Sequence, residues 1–190
     1  MAIRISTLLL ILIVSQGCSS PPPTSLPVVI SGKTFTLELN LDTQSRAEGM
    51  MHRSTFNKDS GMLFVFPDSI ERSFWMKNCF VDIDLIFLDS RGTITAVHEM
   101  DIEPPQSTDE SIWEYEGRLN HYWSQGPSRF AIELEAGSIQ DLELRVNDRI
   151  MLDLNYLKLI FRNNKQKIQD KNIVLLSEII FSLLIEFSCY

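Results

Sequence analysis

The residues with the most chemistry to offer sit together at Phe74-Trp75-Met76-Lys77-Asn78-Cys79. There a cation, an amide and a thiol lie beside very large side chains. Such groups need partners, because an unpaired polar group in a core costs about 1–3 kcal/mol. Upstream, Arg46 and Arg53 flank Gly49, and guanidinium forks suit an anion or a buried carboxylate. Cys79, with His52 or His98 and Asp82 or Asp84, has the residue types of a thiol nucleophile, its base and an orienting acid. Acids such as Asp82, Asp84, Glu99 and Glu133 are too plentiful to single out an acid–base pair. Met50, Met51, Met62, Met76 and Met100, with His52, His98 and Cys79, are soft donors of the kind Cu(I) takes. Their spacing shows no repeat, however, and Met beside Leu and Phe is ordinary core filler. No CxxC, HExxH, GxSxG or glycine-rich phosphate loop occurs, so neither a metal nor a cofactor is expected.

These residues must be positioned by strands. Apolar runs at 62–66 and 85–88, bounded by Gly, Pro and Asp, predict strands buried on both faces. Residues 33–39, 93–100, 129–135 and 150–154 alternate and predict further strands, His98 falling on an apolar face. Asp42-Thr43 caps a predicted helix over 44–53, one face of which would carry Arg46, Gly49, Met50 and Arg53. Ser138 and Asp141 form a capping box for a short helix over 139–144. Residues 101–117 read as a long acidic loop of the kind that often carries function, followed by His121-Tyr122-Trp123. Six or seven strands with two short helices predict an α+β domain, mainly antiparallel, with a compact rolled or barrel-like sheet.

The N-terminus carries Arg4 and an apolar stretch, 5–14, too short to span a bilayer, then Ser15-Gln16-Gly17-Cys18. This resembles a bacterial lipoprotein signal over 1–17, with Cys18 lipidated; an ordinary secretory signal is the alternative. Ser19 after the cysteine favours the outer membrane, facing the periplasm. Residues 18–27 read as a Pro/Ser-rich tether, 28–154 as one domain and 155–190 as an extra tail. The tail's apolar run, 173–185, is interrupted by Glu178 and reads as a packing helix, an interfacial or partner-binding helix, or an extension. Two cysteines besides Cys18, Cys79 and Cys189, leave a disulfide open. From Cys18 to Leu154, 11 Lys and Arg face 22 Asp and Glu, a net of −11. That balance argues against nucleic acid and against an anionic membrane surface as partners of the domain.

Several blocks together resemble the bacterial and archaeal family catalogued as "domain of unknown function 192". They are Arg46-x-x-Gly49-x-Met51-x-Arg53, Gly61-Met62-Leu63-Phe64-x-Phe66, Phe74-Trp75-Met76-Lys77-Asn78, Leu85 after Asp84, and Ser128-Arg129-Phe130-Ala131-Ile132-Glu133. The resemblance spans about 28–154 and implies a small, mostly β domain without an established activity. Its polar positions map to Arg46, Arg53, Trp75, Lys77, Asn78, Asp84, Arg129 and Glu133. Cys79 stands where the family usually has Thr, and Phe130 where it has Tyr. Three functions follow as expectations. The first is a module in which Arg46, Arg53 and Lys77 bind a small anionic or polyhydroxyl ligand, Asn78 orients it and Trp75 stacks on it. The second is a structural or partner-binding envelope lipoprotein whose cations pair internally with Asp84 and Glu133. The third is a hydrolase-type enzyme using Asp84 beside Lys77.

Overall fold

The computed structural model describes residues 23–187. The expected lipoprotein signal, Cys18 and Cys189 lie outside them. Strands β1 (Ser25–Ile30), β2 (Lys33–Asn40), β3 (Ser60–Ile70), β5 (Ile83–Leu88), β6 (Ile94–Met100) and β8 (Ser128–Glu135) form one sheet in the order β1-β2-β3-β8-β5-β6. Every pair is antiparallel except β2–β3, which is parallel and is bridged by helix α1 (Thr43–Glu48). Strands β4 (Ser73–Phe74) and β7 (Tyr122–Trp123) form a separate two-stranded ribbon. Helices α2 (Ile112–Arg118), α3 (Ser138–Asp141) and α4 (Leu154–Phe187) complete the chain. The α+β, mainly antiparallel expectation holds. The sheet rolls but does not close into a barrel, because β1 and β6 are its two ends.

Both faces of the central strands are covered, as the continuous apolar runs require. Leu63 and Val65 of β3, Ile86 and Leu88 of β5, and Phe130, Ile132 and Leu134 of β8 face α3 and the start of α4, where Ile139, Leu157 and Ile160 cover them. Met62, Phe64, Phe66, Leu85, Phe87 and Ala131 face the other way, under Met50, Met76 and Cys79. Burying one such large side chain is worth about 1.5–3 kcal/mol. Four of the five methionines weighed as copper donors are thus core: Met50, Met62, Met76 and Met100 are buried in that second layer, while Met51 is half-buried at the cavity.

Several boundaries differ from expectation. β1 begins at Ser25, so the last residues of the predicted tether are already strand. The first strand's side chains set that limit, since Val28 and Ile30 are core. α1 starts on its predicted cap, with Asp42 accepting the Ser45 N–H at 2.9 Å, but it ends at Glu48 rather than 53. Gly49 takes φ 47° and breaks it. α3 has Gly137 as its N-cap with no side-chain cap bond, so the Ser138 capping box does not form. Residues 150–154 make no strand. A single bridge, Thr93 to Arg149, lies just before them, and they lead into α4, where Asp153 accepts the Tyr156 N–H at 2.9 Å. Of the tail, Leu157 and Ile160 belong to the domain core. No helix among the described residues is long and apolar enough to cross a membrane.

Candidate functional site

Period-two alternation along β8 puts Phe130, Ile132 and Leu134 on one face and Ala131 with Glu133 on the other. Glu133 sits mid-sheet, between Met62 of β3 and Leu85 of β5, and is 5% exposed. Above it pass the Gly49–Met51 segment, the β4 strand and the turn after it. A cavity of about 350 Å³ remains between the layers, lined by Arg46, Gly49, Met51, Phe64, Phe66, Phe74, Trp75, Cys79, His121 and Glu133 among others. Gly49 is required there. Its φ is positive, and a Cβ would stand 3.3 Å from Phe64 Cζ and 3.5 Å from Glu133 Oε2.

Glu133 dominates the electrostatics. Its Oε2 is buried with no hydrogen-bond partner. Burial pushes its carboxyl up to about 8, against a smaller opposing pull from the Arg53 charge. At neutral pH it is therefore mainly a neutral acid, able to donate one hydrogen bond and accept others. Burial, with the Glu133 charge behind it, pushes the Cys79 thiol up to about 12. Cys79 is a free, buried thiol whose Sγ lies 3.5 Å from the Lys77 carbonyl. His98 bonds through Nε2 to the Trp123 carbonyl at 2.8 Å, and His52 packs edge-on against Phe80. The predicted thiol triad is not assembled, because a reactive thiol needs a lowered pKa and an adjacent base.

The predicted polar residues do not converge. Arg46, Trp75 and Glu133 line the cavity. Arg46 Nη1 already donates to the carbonyls of Leu41 (2.8 Å) and Val65 (3.2 Å), and burial lowers its pKa. Arg53, beyond the end of α1, forms a two-pronged bond with Glu38 at 2.8 and 3.0 Å. Lys77 pairs with Glu116 of α2, its ammonium 5.5 Å from the Trp75 ring. Asn78, at φ 53°, donates its N–H to Tyr115 Oη at 3.0 Å and accepts from that hydroxyl at 3.3 Å. Arg129 donates to the Pro67 carbonyl at 2.7 Å.

Asp84 lies on the opposite face of the sheet. Its Oδ2 accepts the Ile139 N–H at 2.6 Å, under the first turn of α3. Burial raises its pKa, while the amides of Ile139, Gly137 and Ser138 draw it down. The sheet separates Asp84 from Lys77 and from Glu133, so the acid–lysine pair of a hydrolase does not exist in this fold. The cations likewise find partners other than Asp84 and Glu133.

Tyr115, Glu116 and Arg72, at or near the cavity, were not singled out from sequence, and His121 was named only as following the acidic loop. Tyr115 and Glu116 of α2 anchor Asn78 and Lys77, so the acidic loop holds up the wall of the site. Ser111 and Glu114 close a capping box at the start of α2, an S-x-x-E signal visible in the sequence. Arg72 lays its guanidinium 3.8 Å from the Phe66 ring centre and holds Ser128 through its carbonyl at 3.0 Å. His121 lies between Trp75, tilted at 46° with centroids 5.6 Å apart, and Trp123, stacked at 6.1 Å.

Fold and site together define an α+β domain with a ligand-sized, mainly apolar cavity holding one buried acid without a hydrogen-bond partner. The family model DUF192, described as "Uncharacterized ACR", matches residues 27–152, and the chain belongs to that family. Two solved structures are similar. A Sinorhizobium meliloti 1021 protein described as a "putative transcription regulator" is 31% identical, with 66% of this chain and 88% of that one covered and a TM-score of 0.52. A Novosphingobium aromaticivorans DSM 12444 protein of unknown function is 21% identical, with 67% and 85% covered and a TM-score of 0.53, a likeness of fold alone. No curated relative matches the chain.

Proposed function

We propose that this protein is a small-ligand binding module whose cavity takes one ring of a neutral polyhydroxyl compound. The unpartnered Glu133 carboxyl carries the proposal. A buried polar group without a partner is costly, and a ligand hydroxyl or carbonyl in the cavity would complete its hydrogen bonding. Trp75 supplies the stacking wall. The anionic half of the expectation loses support, because Arg46, Arg53 and Lys77 are all engaged by protein oxygens. The N-terminal sequence supports a lipid-anchored setting at the outer membrane; labelled palmitate should enter the chain in cells and not its Cys18→Ala variant. Thermal-shift titration of the full chain at pH 6 with glucose, mannose, N-acetylglucosamine, phosphate and citrate tests the binding. A neutral sugar should raise the Tm of wild type and not of Glu133→Leu. Stabilisation by the anions alone, or by nothing in the panel, overturns it.

The second reading, an envelope lipoprotein whose charged cluster is an internal ion-pair network, has only the partly buried Lys77–Glu116 pair in its favour. Arg53 and Glu38 pair near the surface, and Glu133 is left without a role. The regulatory role named for the Sinorhizobium meliloti protein does not extend to nucleic acid here, given the acidic balance of the domain.

A further inference from the structure

The cavity does not end at its own walls. Trp75 and His121 line it, and His121 continues into Trp123, which lies outside the cavity and is 47% exposed. The three rings follow one another at 5.6 and 6.1 Å, the second pair stacked at 30°. The short β4–β7 ribbon positions them. The β4–β7 register pairs Ser73 with Trp123 and Phe74 with Tyr122, so Phe74 and Tyr122 pack on the core while Ser73 and Trp123 fall on the other side. Ser73 Oγ pairs with His121 Nδ1 at 3.3 Å, and His98 fixes the Trp123 carbonyl.

The geometry points to an oligosaccharide as the ligand, with a terminal ring in the Glu133 cavity and the next ring stacked on Trp123. This rests on the reading of the cavity as a sugar-ring site. Trp75 is tilted by 46° to His121. Trp123 stacks on His121 and keeps nearly half its surface open, so it offers a second pyranose a flat surface for its C–H face beyond the cavity at little entropic cost. An extended peptide fits less well. Strand addition needs a run of unpaired backbone, and β4 and β7 are two residues each.

Isothermal titration of the purified full chain tests it, with glucose, mannose and N-acetylglucosamine and with the two- and three-ring β-1,4 oligomers of each. One series should bind about tenfold more tightly at two or three rings than at one, the gain of a stacked contact. Trp123→Ala should remove that gain and leave the one-ring affinity unchanged, and Trp123→Phe should restore most of it. Equal affinity for one ring and three, or a gain that survives Trp123→Ala, overturns the inference and leaves the cavity reading standing. Absence of any one-ring binding overturns both.

Discussion

Replacing Glu133 by Gln should make the protein more stable at high pH. The carboxyl is buried mid-sheet, its Oε2 has no partner, and its pKa stands at about 8 against an ordinary 4.5. A carboxyl with a raised folded pKa keeps its proton in the folded protein where the unfolded chain has already lost it. Stability from this group is therefore complete below pH 4.5 and falls as pH rises, until the folded form too is ionised near 8. The slope in that window is about 1.4 kcal/mol per pH unit, and the whole interval amounts to about 5 kcal/mol as an upper bound. Gln keeps the shape and has no proton to lose. Urea unfolding followed by tryptophan fluorescence, from pH 5 to 9, measures both proteins. The Glu133→Gln variant should gain on wild type steadily with pH and lead it by about 3–5 kcal/mol more at pH 9 than at pH 5. A difference that stays constant across that range refutes a buried neutral acid at this position.

The ion pairs predict unequal effects. Lys77→Met should cost about 1–2 kcal/mol, because Glu116, only a quarter exposed, is left without its cation. Arg53→Met should cost under about 1 kcal/mol in urea unfolding, since Arg53 and Glu38 are both nearly half exposed. Asp84→Ala should cost about 1–3 kcal/mol by leaving the Ile139 amide unsatisfied in the core, with Asp84→Asn milder. It should leave sugar-induced thermal shifts intact, because Asp84 faces away from the cavity.

Strands were the most legible part of the sequence. The unbroken apolar runs of β3 and β5 announced two covered faces, and β5 is buried along its whole length. Alternation along β8 groups Glu133 with Arg129 and Glu135 but does not say how deeply each one is covered. Those two lie at the strand's ends, whereas Ala131 and Glu133 lie between β3 and β5 under a second layer. Only the pairing of distant strands reveals this. The same holds for Asp84. Its place beside Ile83 and Leu85 gives its parity, but that parity separates it from Glu133 only once Leu85 is known to pair with Glu133. The Arg46–Arg53 face failed for a local reason that could have been read: Gly49 was the natural stop for α1. Lys77 and Asn78 did find the partners their burial demanded, but in α2, thirty-seven residues and more along the chain. Local pattern cannot supply such contacts.

In the proposed function Glu133 is a neutral acid serving a sugar-ring cavity. The carboxyl 13C shift of Glu133, followed by NMR against pH with and without the sugar that gives the largest thermal shift, tests it directly. Without sugar the resonance should titrate near 8. With saturating sugar its midpoint should rise further, because a bond accepted from the neutral carboxyl favours the protonated form. A midpoint in the ordinary carboxylate range, or one that the sugar leaves unmoved, contradicts the account.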